Sequence, residues 1–242
     1  MCRSEIVCLH TVNKNTNMRT KTLFLAAAIT AAGLASSMAQ SNVYSLNVVG
    51  YVNVRIEGGG AYNLLANPLN NTSAGGNNLT NLFATGPGNF DQVLTWDVAL
   101  FDFAAVQPSF GGGNWTANTS LPPGKGFFYV IANSTFTNTF VGEVVQGNFT
   151  NFITGSGSYN CIGSSAPLGG SFTNAIAGLA PGNFDQVFKW DVVAFDFDAS
   201  QPSFGGGNWT TTALNIGVGE GLFYVNANAD QNWVRTFNVP TP

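Results

Sequence analysis

The chain contains one long segment twice. Residues 87–116 read PGNFDQVLTWDVALFDFAAVQPSFGGGNWT, and residues 181–210 repeat 24 of these 30 positions at a constant offset of 94. A fixed internal period constrains the fold strongly, because each repeat has to form an equivalent structural unit. Shorter matches extend the similarity on both sides, so the sequence predicts one unit over residues 46–142 and a second over 143–239, each about 97 residues long.

Each unit is predicted to consist of short β-strands separated by turns. Residues 48–54 and 126–131 are rich in the β-branched and aromatic side chains that favour strands. Strands are also predicted over 90–96 and 98–103, with glycine and asparagine in the intervening turns. The predicted fold class is therefore all-β, with two tandem β-sandwich-like repeats. The joining segment 140–149 is apolar and lacks linker composition, so we expect the repeats to pack together.

The first 39 residues predict an export signal. Arg19 and Lys21 form a basic start, residues 23–34 form a short apolar segment, and residues 37–39 supply the small side chains of a cleavage site. We therefore expect a mature protein that begins at Gln40. The apolar segment is shorter than the roughly 20 residues that cross a membrane, which argues against a membrane span.

A complete signal peptide already begins at Met18. Residues 1–17 are therefore interpreted as a misassigned start or, alternatively, as an extension of the basic region. Both interpretations predict an exported protein. The expected location is secreted, periplasmic or at the cell surface.

The composition of the expected mature chain narrows its chemistry. It contains no histidine, a single cysteine, and four basic against eleven acidic side chains, which give a net charge of −7. Hydrolases with a serine or cysteine nucleophile need an imidazole to move the proton, a typical zinc site needs several His or Cys ligands, and nucleic acid binding needs a basic surface. The sequence therefore favours a protein that is not an enzyme and binds no nucleic acid. Cys161 stands where the first repeat has Leu64, so it is interpreted as a core thiol.

The acidic residues leave two minority interpretations open. Asp91 with Asp97, or Glu143 with an aspartate of the first repeat, could form the carboxylate pair of a glycoside hydrolase, which is the common catalytic apparatus that these residue types allow. Asp196 and Asp198 alternate as the oxygen ligands of calcium loops do, so calcium is a candidate cofactor. The glycine and glutamate of an EF-hand are missing there, and solvated carboxylates at strand ends are the simpler interpretation.

Tryptophan beside asparagine and glycine marks a candidate ligand-binding site. Each repeated segment ends in GGGNW, which places Trp115 beside Asn114 and Trp209 beside Asn208. An aromatic face suits the C–H surface of a sugar, and a neighbouring amide binds its hydroxyl groups. Core packing is the competing interpretation, and at least one tryptophan per repeat is expected in the core. A polysaccharide or another envelope component is the partner that this pattern favours, and the sequence leaves the oligomeric state open.

Four further motifs carry a resemblance to known proteins. They are VYSLNVVGYVNV at 43–54, ANPLN at 66–70, PGKGFFYV at 123–130 and TFVGEVVQG at 139–147. With these motifs the chain resembles a group of exported, β-rich bacterial proteins to which no activity and no catalytic residue is assigned. The resemblance implies a secreted β-module. The second repeat departs from the pattern, since NPL becomes APL at 166–168.

The sequence thus predicts an exported, non-catalytic structural or interaction protein of the cell envelope or exterior. The first alternative is a carbohydrate-binding module that uses Trp115 and Trp209, and the remote alternative is a carboxylate-based glycoside hydrolase. Burial of both tryptophans would favour the structural or interaction protein. An exposed, coplanar pair would favour carbohydrate binding.

Overall fold

The computed structural model describes residues 48–239 of the chain. The predicted signal peptide over 1–39, with the questioned start at 1–17, lies outside these residues. Within the described range, helix is limited to two single turns, α1 (Leu79–Leu82) and α2 (Phe172–Ala175), and neither is long and apolar enough to cross a membrane. The remaining regular structure is β-strand, which confirms the predicted all-β class.

The first half of the described chain forms eight strands. They are β1 (Val49–Ile56), β2 (Tyr62–Ala66), β3 (Asn89–Leu94), β4 (Trp96–Asp97), β5 (Asp102–Phe103), β6 (Gln107–Phe110), β7 (Gly126–Val130) and β8 (Phe136–Glu143). An antiparallel sheet has the strand order β2-β7-β3-β6, and β1 pairs with β8 along its whole length. The short strands β4 and β5 form a separate hairpin.

The second half, from residue 147 to the last strand described, has the corresponding arrangement. Its strands are β9 (Gly147–Ile153), β10 (Ser158–Gly163), β11 (Gly170–Ser171), β12 (Asn183–Phe188), β13 (Trp190–Asp191), β14 (Asp196–Phe197), β15 (Gln201–Phe204), β16 (Asn215–Ile216), β17 (Gly221–Asn226) and β18 (Gln231–Phe237). The sheet order is β10-β17-β12-β15, β9 pairs with β18, and β13 with β14 forms the hairpin. The pair β11–β16 corresponds to a single antiparallel bridge between Asn78 and Ser120 in the first half.

Each half has its own hydrophobic core between its four-stranded sheet and its two-stranded ribbon. In the first half, Phe127 and Tyr129 of β7 pack with Phe140 of β8, and all three are fully buried. In the second half, Tyr224 of β17 and Trp233 of β18 are buried in the same way. The alternation of side chains along a strand, which sends every second residue to the same face, produces these two layers.

A third apolar cluster joins the two halves. Leu64 and Phe128 of the first half are buried in it together with Phe223 of the second half. Strand β7 is therefore covered on both faces, because Phe127 and Tyr129 lie in the core of their own half while Phe128 lies in the shared cluster. This double burial explains why β7 is a continuous apolar run and not an alternating one.

Two matching pairs of backbone groups also connect the halves. The Ala66 N–H donates to the carbonyl oxygen of Gly219 at 2.9 Å, and the Gly163 N–H donates to that of Gly124 at 3.0 Å. The same contact thus occurs once in each direction, since β2 and β10 hold corresponding places in their sheets. The described chain forms one compact body, in which the apolar junction at 140–149 consists of the ends of β8 and β9.

The predicted strand over 98–103 is wrong. Residues 98–101 form the turn of the β4–β5 hairpin, in which Asp97 pairs with Asp102. The Asp97 carboxylate accepts the N–H groups of Ala99 at 2.9 Å and Leu100 at 3.2 Å, and this local bonding replaces a strand partner. The predicted strand over 90–96 is interrupted at residue 95, where the chain leaves β3 and enters the β4–β5 hairpin at Trp96.

Candidate functional site

The two candidate tryptophans of the GGGNW segments lie half-buried against the cores. The Trp115 ring meets Phe83 and Tyr129 edge to face, at centroid distances of 6.4 and 5.9 Å. The Trp209 ring meets Phe172 in the same manner at 5.0 Å. Much of each ring is therefore used in packing, and the structure shows neither a fully buried pair nor an exposed, coplanar one.

The candidate asparagines hold the turn that precedes each tryptophan. The side-chain amide of Asn114 donates to the Gly111 carbonyl at 2.9 Å, and its backbone carbonyl accepts the Phe110 N–H at 2.8 Å. Asn208 bonds Gly205 and Phe204 in the same way. Gly111, Gly112 and Gly113 all have positive φ, from +59° to +84°, so this turn needs three glycines.

An exposed phenylalanine, and not tryptophan, is the aromatic side chain that each of these turns presents to solvent. Phe110 is 65% exposed and Phe204 is 64% exposed. A second phenylalanine lies on the neighbouring strand of each half, since Phe90 and Phe184 are each 73% exposed. Sequence reasoning missed all four residues.

The two phenylalanines of each half lie on paired strands. Phe110 pairs with Asn89, which directly precedes Phe90. The Gly112 N–H donates to the Pro87 carbonyl at 3.2 Å and so ties the glycine turn to the loop before β3. We call the surface formed by Phe90, Phe110 and Asn114 the first aromatic patch, and the matching surface formed by Phe184, Phe204 and Asn208 the second aromatic patch.

The backbone at Phe90 and Phe184 is strained. Their φ angles are +70° and +67°, a region that bulky L-residues avoid at a cost of about 1–2 kcal/mol. Burial of the rings does not offset this cost, because both rings are exposed. Strain of this kind concentrates at functional sites, where the surrounding structure enforces it.

A β-bulge imposes this strain and turns an aspartate inward. The register of β3 against β6 shifts between Asn89 and Gln92, so Phe90 faces solvent while Asp91 is buried. The Asp91 carboxylate accepts hydrogen bonds from the N–H groups of Gly88 at 2.8 Å and Ala132 at 2.9 Å. The bulge therefore fixes both the buried carboxylate and the exposed ring.

The buried carboxylates are structural acceptors. Besides the two backbone donors, Asp91 accepts the hydroxyl of Tyr129 at 3.1 Å, and Asp185 accepts that of Tyr224. Burial, followed by the effect of the neighbouring aspartate, raises the pKa of both tyrosines. Asp91 is buried, and its carboxylate already accepts these hydrogen bonds. It is therefore poorly placed to bind a substrate as one half of the carboxylate pair that the sequence suggested with Asp97.

The other candidate carboxylates also have local roles. The exposed carboxylate of Asp196 accepts a hydrogen bond from the N–H of Phe197 at 2.7 Å. The backbone N–H of Asp198 donates to the carbonyl oxygen of Lys189 at 2.8 Å. Glu143 ends β8, where its backbone pairs with that of Asn70. Among residues 48–239, groups of three or more His, Cys, Asp or Glu side chains placed to hold a metal ion do not occur. Asp196 and Asp198 are therefore not part of such a three-ligand group in the described range.

Cys161, the single cysteine within residues 48–239, packs at the junction of the halves. Cys161 lies against the shared cluster, and a Cβ atom added to Gly126 would come within 2.6 Å of its Sγ atom. Burial raises the pKa of the Cys161 thiol, so the thiol stays protonated at neutral pH. This placement agrees with its interpretation as a packing residue, although the residue is only half-buried.

Each half docks its hairpin onto the other half. Trp96 of β4 meets Phe223 of the second half edge to face at 5.4 Å, and Trp190 of β13 meets Phe128 of the first half at 5.3 Å. Beside Trp96 the docking leaves a pocket of about 280 Å³ between the halves. This inter-half pocket is lined by Trp96, Phe101, Phe103, Tyr159, Phe188, Phe197 and Phe223.

No protein-family model matches the chain, and searches of curated proteins and of solved structures found no match either. Two features of the described residues are candidates for a function. One is the pair of aromatic patches on strained bulges, and the other is the inter-half pocket.

Proposed function

We propose that the protein is an exported, non-catalytic interaction protein that binds an envelope or extracellular partner through its two aromatic patches. The observation that carries this proposal is the combination of strain and exposure at Phe90 and Phe184. Glycine would satisfy the bulge at a lower cost, and phenylalanine gains nothing from the core there. A contact with another molecule gives these rings a role that folding does not.

The chemistry of the patch fits a neutral partner surface. Residues 87–90 and 110–114 contain proline, glycine, asparagine and phenylalanine and lack any charged side chain. Aromatic rings give large contact areas at a small loss of rotamer freedom, which makes them effective anchors in interfaces. The absence of histidine from the mature chain and the enclosure of Asp91 support a binding role over a hydrolytic one.

Two copies of the patch on one rigid body favour a repetitive partner. The residues of the first aromatic patch recur without change in the second. The halves are joined by the shared cluster and by backbone bonds, so the two patches keep a fixed separation. When both engage the same partner, the second contact forms at a high effective concentration and raises the overall affinity.

Carbohydrate binding is the second candidate function, and the arrangement around Phe110 favours it. An exposed ring beside the amide of Asn114 offers a sugar both an apolar face and a polar contact. This candidate replaces the tryptophans of the sequence prediction with Phe110 and Phe204. In this candidate function, the partner that both aromatic patches bind is a polysaccharide.

Co-sedimentation with purified cell envelopes of the native host tests the proposal. The wild type is expected to sediment with the envelopes, whereas Phe110→Ala combined with Phe204→Ala is expected to lose most of the binding. Tyr51→Ala is the matched control, since Tyr51 is an exposed aromatic residue on β1 outside the patches. Equal binding by the patch variant and the wild type would refute the proposal.

Protease treatment of the envelopes separates the two candidates. Binding that disappears after the treatment indicates a protein partner, and binding that persists indicates a polysaccharide. Export is tested separately by N-terminal sequencing of the protein from its host, for which a start at Gln40 is expected. A start before residue 34 would contradict cleavage at the predicted site.

A further inference from the structure

A second pocket, of about 240 Å³, lies beside Trp96 where the two halves meet. We call it the lysine pocket, because Lys125 is the charged side chain of its lining. The first half lines it with Trp96, Val98 and Lys125, and the second half with Asn151, Phe152 and Ile162. Apolar side chains therefore surround one positive charge and one amide.

The charge of Lys125 is not balanced within the described chain. Residues 48–239 contain four basic and eleven acidic side chains, yet Lys125 has neither an ion pair nor a side-chain hydrogen bond with any of these residues. The other three basic side chains do have partners, since Arg55 and Lys189 form ion pairs and Arg235 donates to a buried carbonyl. The Lys125 ammonium is therefore available to a ligand.

The amide of Asn151 is a second polar group without a partner. Its nitrogen lies against Gly124, since a Cβ atom added to Gly124 would come within 2.7 Å of it, and it has no hydrogen bond with the described residues. In this part of the chain, the buried polar side-chain atoms that lack a partner belong to Trp96 and Trp115. The unpaired groups of Lys125 and Asn151 therefore keep accessible surface, and a ligand can reach both.

The corresponding place on the opposite side lacks these groups. Glu220 replaces Lys125, and a Cβ atom on the glycine before Glu220 would meet Val54, just as one on the glycine before Lys125 would meet Asn151. The Glu220 carboxylate is neutralised by Lys189, 3.1 Å away. The combination of a free cation and a free amide is therefore specific to the lysine pocket and does not follow from the fold that both halves share.

We propose that the lysine pocket binds a small monocarboxylate that carries an apolar group. The Lys125 ammonium and the Asn151 amide bind the carboxylate, and the hydrogen bond from the ammonium is of the stronger, charge-assisted kind. Trp96, Val98 and Phe152 contact the apolar group. The volume lies below the roughly 300–1,000 Å³ of pockets that hold drug-sized ligands, so the acid has to be small. Inorganic phosphate is disfavoured, because it gains nothing from the apolar walls and loses hydration there.

This inference is independent of the proposed function. The lysine pocket lies where the halves meet, whereas the aromatic patches lie at the bulges of β3 and β12. A variant with Phe110→Ala and Phe204→Ala is therefore expected to bind the acid as the wild type does.

Three small probes test the proposal on the ¹⁵N-labelled protein. Benzoate has a carboxylate on an apolar ring, benzamide has nearly the same shape without the charge, and inorganic phosphate has the charge without the ring. The side-chain amide signals of Asn151 are identified by their loss in Asn151→Ser. Benzoate is expected to move these signals saturably and to bind about 3- to 10-fold more tightly than benzamide, as a charged acceptor in place of a neutral one predicts. Phosphate is expected to bind more weakly than benzoate.

Two variants that lower the net charge by the same amount make the assignment specific. Lys125→Gln removes the ammonium from the pocket, so benzoate and benzamide should then bind with equal affinity. Lys189→Gln is the matched control, because its ammonium is paired with Glu220, and it should keep the preference for benzoate. Loss of the preference in both variants would show that the overall charge causes it, which would overturn the proposal.

The wild type decides alone if Lys125→Gln does not fold. A saturable shift of the Asn151 signals with tighter binding of benzoate than of benzamide supports the proposal. Equal affinity for these two probes, binding of phosphate at least as tight as that of benzoate, or the absence of a saturable shift would overturn it.

Discussion

The hydroxyl of Tyr129 donates a hydrogen bond to the carboxylate of Asp91, 3.1 Å away, in the buried interior of the first half. The bond connects β7 to the bulge in β3, and Tyr224 connects β17 to Asp185 in the second half. The buried aspartate is the reason that the preceding phenylalanine points to solvent. The structural interior and the candidate binding surface are therefore set by the same few residues.

Replacing Asp91 with asparagine is expected to destabilise the protein by about 3 kcal/mol, because an amide nitrogen cannot accept the hydrogen bonds that a carboxylate oxygen accepts. At least one buried donor would be left unpaired. Urea unfolding measures the loss. Asp97→Asn, which changes a half-buried residue at the end of β4, is the control and should cost less. Equal losses in the two variants would contradict the structural role of Asp91.

The buried tyrosines are expected to make the protein unstable at alkaline pH. The pKa of Tyr129 and of Tyr224 is raised in the folded state above the value of about 10 in the unfolded chain. As the pH rises through 10, the unfolded chain loses protons that the folded chain retains, so the stability is fully present below about pH 10 and falls above it. The expected slope is about 1.4 kcal/mol per pH unit for each tyrosine.

Urea unfolding between about pH 9 and pH 11 measures this slope. Tyr129→Phe lowers the stability at neutral pH but is expected to remove half of the alkaline slope. Tyr51→Phe, at an exposed position, is expected to leave the slope unchanged. A pH profile that stays flat up to pH 11 would show that the two phenols ionise freely in the folded state.

Phe90 is expected to tolerate glycine better than alanine, because only glycine adopts its positive φ without strain. Phe90→Gly should be more stable than Phe90→Ala by about 1 kcal/mol, as measured by thermal unfolding. Phe110 provides the control with the opposite sign, since it lies in the ordinary strand β6. There alanine should be more stable than glycine by about 0.5–1 kcal/mol. The same order at both positions would remove the argument from strain.

The two halves are expected to unfold together, because Phe128 and Phe223 lie in a cluster that both halves share. Phe128→Ala should lower the stability by about 3–5 kcal/mol and leave a single transition in calorimetry. Phe110→Ala removes an exposed ring of the same size and should change the stability by less than about 1 kcal/mol. Two separate transitions in the wild type would show that the halves are independent.

The sequence predicted the features that depend on local composition. The runs at 48–54 and 126–131 contain β-branched and aromatic residues, and they correspond to β1 and β7. The internal period predicted the corresponding strand orders of the two halves, since similar segments form similar units. The apolar junction predicted that the halves pack together.

The orientation of individual aromatic residues could not be predicted in the same way. The bulge between Asn89 and Gln92 shifts the alternation of β3, and a shift of one residue moves every following side chain to the opposite face. It therefore decides that Phe90 is exposed. Phe110 is exposed because it follows the buried Ser109 in β6, while Trp115 packs inward after the glycine turn. Phenylalanine is not a usual residue at positive φ, so no local signal marked Phe90. The inter-half pocket depends on tertiary docking and has no local signal at all.

The reciprocal docking of the hairpins makes the chain equivalent to a dimer whose two subunits share one polypeptide. A dimer of separate chains held by these contacts would dissociate on dilution, because its stability depends on concentration. Here only residues 144–146 separate β8 from β9, so the partner surface is always within reach. We propose that the protein acts outside the cell, where its concentration is low. There the covalent connection keeps both aromatic patches on the same molecule.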